Sequence, residues 1–174
     1  MLFAFTLVEV HVLLPSYVER FMNESANIYA SAEVYYSLGA ILSGVLVYRF
    51  LSQYNEYLSI VLLMFLVSIL FIGMSFSNNI VLFFTANLIL GITNAGVRIL
   101  RTTYLFSHVP NNLIGRAGSV FSSINVIVRM ILIFIFSMPF FLKEDNIRWG
   151  YFIGASLVLM TIVLLLYYYK KEKS

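Results

Sequence analysis

Charged residues are scarce in this chain, and cysteine is absent altogether. Of the 174 residues 11% are charged and 61% are hydrophobic, whereas a soluble domain has about 25% charged residues. These charged residues are too few to cover the surface of a soluble fold. The apolar side chains must therefore face lipid as well as the protein core. The lack of cysteine excludes disulfides, thiolate metal sites and Cys nucleophiles, and it leaves the redox compartment open.

Signatures of catalysis, metal binding and nucleic-acid binding are missing as well. The spacing of Glu9 and His11 does not place two metal ligands one helical turn apart, as an H-E-x-x-H motif would. The chain has no nucleophile elbow and no phosphate-binding Gly loop. The net charge of +3 comes from scattered basic residues, whereas a nucleic-acid surface needs clustered Lys and Arg. We expect no enzyme, cofactor, metal or nucleic-acid partner, and a membrane-embedded enzyme is the weakest alternative.

The apolar residues fall into six stretches, each close to the roughly 20 residues that a helix needs to cross a bilayer. Polar clusters such as Ser77-Asn78-Asn79 separate them, and no period-two alternation points to strands. The sequence therefore predicts an all-α integral membrane protein, a bundle of six transmembrane helices in a single domain over residues 1–174. The predicted spans are residues 2–21, 28–50, 57–76, 80–106, 117–142 and 147–169.

The basic residues predict the orientation, because loops rich in Lys and Arg stay in the cytoplasm. One side of the bundle carries Arg49, Arg101, Arg116, Lys170, Lys171 and Lys173. The other side carries only Arg20, Lys143 and Arg148. The richer side is assigned to the cytoplasm, so we expect a multi-pass protein of the cell membrane with both termini inside.

Small residues occur at helical spacing on two of the predicted spans. Gly39 and Gly44 lie on the second span, and Gly91, Ala95 and Gly96 lie on the fourth. Small residues let helix backbones approach closely in a membrane, where no hydrophobic force drives helices together. We interpret them as packing seams.

Two charged residues lie well inside predicted spans, Glu9 and Arg129. A charge at the bilayer centre costs at least about 2.5–3.5 kcal/mol, so it usually faces a cavity or a partner. The two charges lie at similar depth, about 12 Å and 18 Å from the cytoplasmic starts of their helices. One hypothesis is a polar cavity in which they bind substrate or carry a coupling proton. The other, of equal weight, is a fixed salt bridge that holds the bundle together.

Further polar side chains lie within the fourth and fifth spans. Asn87, Asn94 and Asn125 each need a partner on another helix or cavity water, and the last two are candidates for the cavity. Arg98 and Arg101 are three residues apart on one face near the cytoplasmic end. We expect these two arginines to reach the lipid headgroups, because long basic side chains extend toward the membrane surface.

Three segments together resemble a known family. Residues 44–49 read G-V-L-V-Y-R, residues 109–116 read V-P-N-N-L-I-G-R, and residues 13–18 read L-L-P-S-Y-V. Their order and spacing resemble the C-terminal half, helices seven to twelve, of a major facilitator superfamily transporter of the efflux branch. The resemblance implies export of a small molecule by alternating access, driven by a proton gradient. It also implies that Gly44, Arg49, Pro110, Gly115 and Arg116 belong to loops that gate the cytoplasmic side.

Half of such a fold forms only one wall of a central cavity. Met1 lies almost at the start of the first predicted span, which is typical of a truncated or split product. We therefore expect the chain to need a partner besides lipid and substrate, either an N-terminal six-helix half or a second copy of itself. The alternative is a membrane fragment or assembly partner that transports nothing.

Overall fold

The computed structural model describes residues 13–47, 49, 55–141, 143 and 146–172. These residues form six helical elements and no β-strand. The first, α1, consists of Leu13–Ser16 followed by a π-helical turn, Tyr17–Phe21. The others are α2 (Ala26–Leu46), α3 (Glu56–Phe76), α4 (Ile80–His108), α5 (Asn111–Phe136) and α6 (Ile147–Glu172). The predicted all-helical class is thereby confirmed.

Four of the described helices are long and apolar enough to cross a membrane. They are α3, α4, α5 and the stretch Ile147–Lys171 of α6. The 21 residues of α2 would span about 31 Å, but α2 includes Glu33 and several Ser and Tyr residues and is less apolar than these four. The first predicted span, residues 2–21, lies mostly outside the described residues. A bundle of six spans therefore stays a prediction.

Two asparagines start helices immediately after polar breaks. The Asn55 Oδ1 atom accepts hydrogen bonds from the backbone N–H groups of Tyr57, at 2.9 Å, and Leu58, at 3.4 Å. Asn79 does the same for Val81, at 2.8 Å, and Leu82, at 3.3 Å. The first N–H groups of a helix lack carbonyl partners within it, and an Asn cap satisfies them. These caps set the starts of α3 and α4.

Helix α5 is displaced from the predicted span 117–142. It begins at Asn111, directly after Pro110, and it ends at Phe136. Proline favours a helix start because its fixed φ angle suits the first turn and its missing N–H is not needed there. At the other end, Ser137 caps the helix and Pro139 follows two residues later, where it does not continue the helix.

The helices α4 and α3 pack against each other in the centre of the bundle. Helix α2 packs along α4, and α6 packs along α3. Much of the buried apolar core belongs to α3, including Ile60, Met64, Val67 and Met74, which are at most 2% exposed. Helix α1 touches both α2 and α6. The described chain is thus a row of four packed helices with α1 across one end.

Aromatic side chains join the helices at each end of the bundle. At one end the Tyr17 hydroxyl donates to the carbonyls of Met74, at 2.8 Å, and Ser77, at 2.7 Å. At the opposite end the Tyr57 hydroxyl donates to the Leu165 carbonyl at 2.5 Å, and its ring stacks on Tyr169. The Ser75 hydroxyl near the carboxyl end of α3 donates to the Arg148 carbonyl at the start of α6, at 3.0 Å. Together with the Tyr57 contact at the opposite end, this shows that α3 and α6 are antiparallel, as the short connections predict.

Candidate binding cleft between α4 and α5

Helix α5 stands apart from the rest of the bundle. Only 11% of its most apolar stretch is buried, against 50% for α3 and for α4. It contacts mainly the neighbouring α4, and its buried side chains, Leu132 and Phe136, lie near its carboxyl end. At its amino end α5 is joined to α4 by Val109 and Pro110, and in this half of α5 the two helices flank an open cleft of about 500 Å³.

The cleft is lined by one stripe of side chains from each helix. Eleven residues take part, at spacings of three and four that place them on one helical face. They are Arg98, Arg101, Thr102, Leu105 and Phe106 of α4, and Ile114, Gly118, Phe121, Ser122, Asn125 and Val126 of α5.

The lining combines positive charge with apolar surface. Arg98 and Arg101 bring two guanidinium groups, and no carboxylate is found among the described residues of the lining. Thr102 donates its hydroxyl proton to the Arg98 carbonyl of its own helix, at 2.9 Å.

Gly118 leaves space in the α5 wall. A Cβ atom built at this position would find no atom within 4 Å outside its own helix. The glycine is therefore not required for helix packing, and a larger side chain there would project into open space. It gives the cleft part of its width.

The predicted cavity residues are only partly brought together. Asn125 lines the cleft and is half-buried. Arg129 lies one turn further along α5, roughly on the same face, but it is exposed and outside the lining. Ser122, Asn125 and Arg129 thus form a polar stripe along a helix of membrane-spanning length. Glu9, the predicted partner of Arg129, lies outside the described residues.

Asn94 lies in a different place, between α4 and α2. Its side chain is 4% exposed, and its amide nitrogen donates to the Tyr36 hydroxyl of α2. The Oδ1 atom of Asn94 is buried and has no hydrogen-bond partner among the described residues. Asn87, one of the other mid-span amides, donates to the Phe83 carbonyl of its own helix at 2.8 Å.

The predicted gating residues are at one end of the bundle and are exposed there. Gly44 lies near the carboxyl end of α2, and Arg49 follows shortly after it. Pro110, Gly115 and Arg116 surround the start of α5. A Cβ atom would meet no neighbour within 4 Å at either glycine. The arrangement leaves their predicted role in gating untested.

The sequence did not predict that Arg98 and Arg101 line a cleft. Their spacing predicts that they share a face of α4, which the structure confirms. Their position near a helix end, however, predicts contact with lipid headgroups and not a cleft. The only sequence signal for a shared cleft was the polar Asn125 on the next span. The described residues contain no group of three His, Asp or Glu side chains that could hold a metal ion.

Comparisons with protein-family models, with curated proteins and with solved structures give no match to this chain. The class of protein therefore rests on the helices. Four described helices that can each span a membrane, joined by short connections, define an α-helical, multi-pass membrane protein.

Proposed function

We propose that this chain is one half of a secondary transporter, which moves a small molecule across the cell membrane by alternating access. Its fold is then half of a major facilitator fold with six spans, and both of its termini are cytoplasmic. The resemblance of three segments to the efflux branch adds proton-coupled export to the proposal. An N-terminal half or a second copy of the chain completes the cavity.

The polar stripe on α5 carries this proposal. Ser122 and Asn125 lie at the cleft, and Arg129 extends the stripe one turn beyond it, on a helix that the other described helices hardly cover. Polar groups at membrane depth are costly when they face lipid, so such groups usually line a water-filled cavity or face a partner. In secondary transporters the substrate site lies between two repeated halves, near the middle of the membrane.

Alternating access can be tested without knowing the substrate. The chain has no cysteine, so Ser122→Cys would place a single thiol in the cleft. The variant would be expressed from its own locus, so that any natural partner is present. Labelling with a membrane-impermeant maleimide would then be compared between right-side-out and inverted vesicles.

We expect Ser122→Cys to react from both faces of the membrane, because an alternating site opens to each side in turn. A proton gradient should change the ratio of the two rates. Ile131→Cys is the matched control on α5, because Ile131 is exposed on this chain and is expected to face lipid. Reaction from one face only, at a rate independent of the gradient, would contradict the proposal.

The uncovered face of α5 also favours a second candidate function. A helix that is 11% buried over its apolar stretch can serve as the docking surface of an assembly partner that transports nothing. In that case Ser122→Cys reacts from a single face, while the chain still purifies with a second protein. The same experiment therefore separates the two functions.

Glu9 and Arg129 belong to the proposed cavity as a substrate or proton site. The neutral variants Glu9→Gln and Arg129→Gln, combined in the assembled protein, test this role. Retention of full transport by the double variant would show that the two charges are not part of the transport site.

A further inference from the structure

We infer that the last turns of α6 bind an anionic phospholipid, with its phosphate at Lys170 and Lys171 and its acyl chains along the apolar residues before them. Helix α6 packs along α3 and contributes nothing to the lining of the α4–α5 cleft. The inference is therefore independent of transport, since this surface can hold a lipid whatever the chain moves across the membrane.

The exposed face of α6 changes from apolar to aromatic to basic along its last turns. Four exposed residues follow one another at spacings of four, three and four, which places them in one stripe on the helix. They are Met160, Leu164, Tyr167 and Lys171. The first three are 63%, 50% and 65% exposed, so the other described residues leave the stripe open. A phospholipid presents its acyl chains, glycerol region and phosphate in the same order.

The neighbouring positions repeat this order. Val163, which is 66% exposed, flanks the stripe at its apolar end, and the exposed Lys170 flanks it at its basic end. Tyr167 precedes Lys170 by three residues and Lys171 by four, so its phenol and both ammonium groups can reach one headgroup. The next residue, Tyr168, is exposed as well. Tyrosine rings are typical of the depth at which acyl chains give way to headgroups.

The charge of the two lysines is available to a ligand. Both side chains are exposed, and neither forms an ion pair with another described residue. Residues 160–171 include no acid, and Glu172 follows at a helix position about 100° around from Lys171. Each ammonium group offers three N–H donors, which phosphate oxygens accept. Basic residues next to a membrane span are attracted to anionic lipids.

This end of the bundle has a surplus of positive charge. The antiparallel order brings together the carboxyl ends of α2, α4 and α6 and the starts of α3 and α5. The surplus favours an anionic over a zwitterionic headgroup in the adjoining leaflet. The described basic residues here are Arg49, Arg101, Arg116, Lys170 and Lys171, and the acids are Glu56 and Glu172.

Helix α3 holds the last turns of α6 in place. The Tyr57 hydroxyl donates to the Leu165 carbonyl, and the Tyr57 ring stacks on Tyr169 with 4.9 Å between the ring centroids. Lys170 and Lys171 lie about 7–9 Å beyond Leu165 along the helix axis. Because the helix that carries the stripe is already fixed, less conformational freedom is lost when a lipid binds.

The test measures lipid binding to the full-length chain, purified in a neutral detergent, by native mass spectrometry. The probes are phosphatidylglycerol and phosphatidylcholine with identical acyl chains, and glycerol 3-phosphate as a headgroup without chains. The variants are Lys170→Gln, Lys171→Gln and the two combined, and Lys171→Arg keeps the charge. The matched control, Lys143→Gln, removes an exposed lysine at the opposite end of the bundle.

We expect the chain to retain phosphatidylglycerol in preference to phosphatidylcholine, because the two probes differ only in their headgroups. Each glutamine variant should weaken this retention about fivefold, and the double variant more than about tenfold. Lys171→Arg and Lys143→Gln should both stay within about twofold of the natural chain. Added sodium chloride should weaken binding, because salt screens the exposed charges.

Equal retention of the two lipids, or unchanged binding of phosphatidylglycerol by the double variant, would overturn the inference. An equal loss of binding in Lys143→Gln would do the same, because the effect would then belong to net charge and not to this surface. Binding of glycerol 3-phosphate as tight as that of phosphatidylglycerol would show that the apolar part of the stripe holds no lipid. Each of these results leaves the Ser122→Cys test of alternating access unaffected.

Discussion

Gly39 of α2 and Gly91 of α4 lie where the two helix backbones meet. A Cβ atom on Gly39 would overlap the carbonyl oxygen of Leu88, and one on Gly91 would overlap the carbonyl oxygen of Tyr36. Backbone atoms of a packed helix do not yield as a flexible side chain does. The predicted packing role of these two glycines is therefore confirmed, whereas Gly44 faces open space.

Alanine at this contact should destabilise the bundle. We expect Gly39→Ala, and likewise Gly91→Ala, to lower the free energy of unfolding by about 1–3 kcal/mol, because overpacking forces the two helices apart. Gly73→Ala is the matched control, since a Cβ atom there meets nothing within 4 Å. Unfolding in mixed detergent micelles, followed by circular dichroism, gives the values. Equal stability of all three variants would contradict the close contact.

The Tyr17 hydroxyl should stabilise the carboxyl end of α3. Its ring is 1% exposed and lies edge-on to Tyr151, and its hydroxyl donates to the carbonyls of Met74 and Ser77. We expect Tyr17→Phe to cost about 1 kcal/mol through the lost hydrogen bonds. Tyr17→Ala should cost about 3–5 kcal/mol, because it also leaves a cavity. Tyr168→Phe, at an exposed tyrosine, should be neutral in the same unfolding experiment.

The hydrogen bond between Asn94 and Tyr36 can be measured with a double-mutant cycle. Asn94→Ala and Tyr36→Phe each remove one partner, and we expect a coupling free energy of about 0.5–1.5 kcal/mol between them, the range found for bonds between membrane helices. The control cycle pairs Tyr36→Phe with Asn87→Ala, because Asn87 bonds within its own helix. A coupling free energy as large in the control cycle would show that the effect is not due to this hydrogen bond.

The limits of α3 and α4 could be predicted closely from the sequence, because an Asn cap stands directly before each apolar run. The predicted span 57–76 corresponds to the helix Glu56–Phe76, and the predicted span 80–106 corresponds to the helix Ile80–His108. The start of α5 was predicted six residues late. Hydropathy locates the apolar part of a helix, whereas the polar first turns of α5, with Gly115 and Arg116, belong to the helix but not to the apolar run.

The candidate site was predictable only in part. Asn125 stood out as a polar residue within an apolar span, and it does line the cleft. Arg98 and Arg101 did not stand out as cleft residues, because arginines near a helix end are equally typical of contact with lipid headgroups. The direction in which α5 leaves α4 decides whether these arginines line a cleft or reach the headgroups. The sequence pattern of a single helix does not contain this tertiary feature.

The antiparallel order of the helices predicts which loops share a side of the membrane. Because the chain lacks cysteine, single thiols can be placed at the exposed positions Glu24, Asn78 and Asn112. We expect Glu24→Cys and Asn78→Cys to react with an impermeant maleimide from one face of the membrane and Asn112→Cys from the other. Labelling of Asn78→Cys and Asn112→Cys from the same face would show that α4 does not cross the membrane.

Arg129 distinguishes a chain that needs a partner from one that is complete. It lies about 27 Å along α5 from Asn111, and its side chain is exposed on the isolated chain. If lipid covers this face in the absence of a partner, Arg129→Leu should stabilise the isolated chain in bilayers by up to about 2–3 kcal/mol, the cost of an arginine at membrane depth. Arg148→Leu, near a helix end, should change stability by less than about 1 kcal/mol.

The same Arg129→Leu substitution should weaken association with the second half or second copy, measured by co-purification from native membranes. Destabilisation of the isolated chain would instead indicate that Arg129 forms a fixed salt bridge within it, and Glu9→Gln should then destabilise the chain to the same extent.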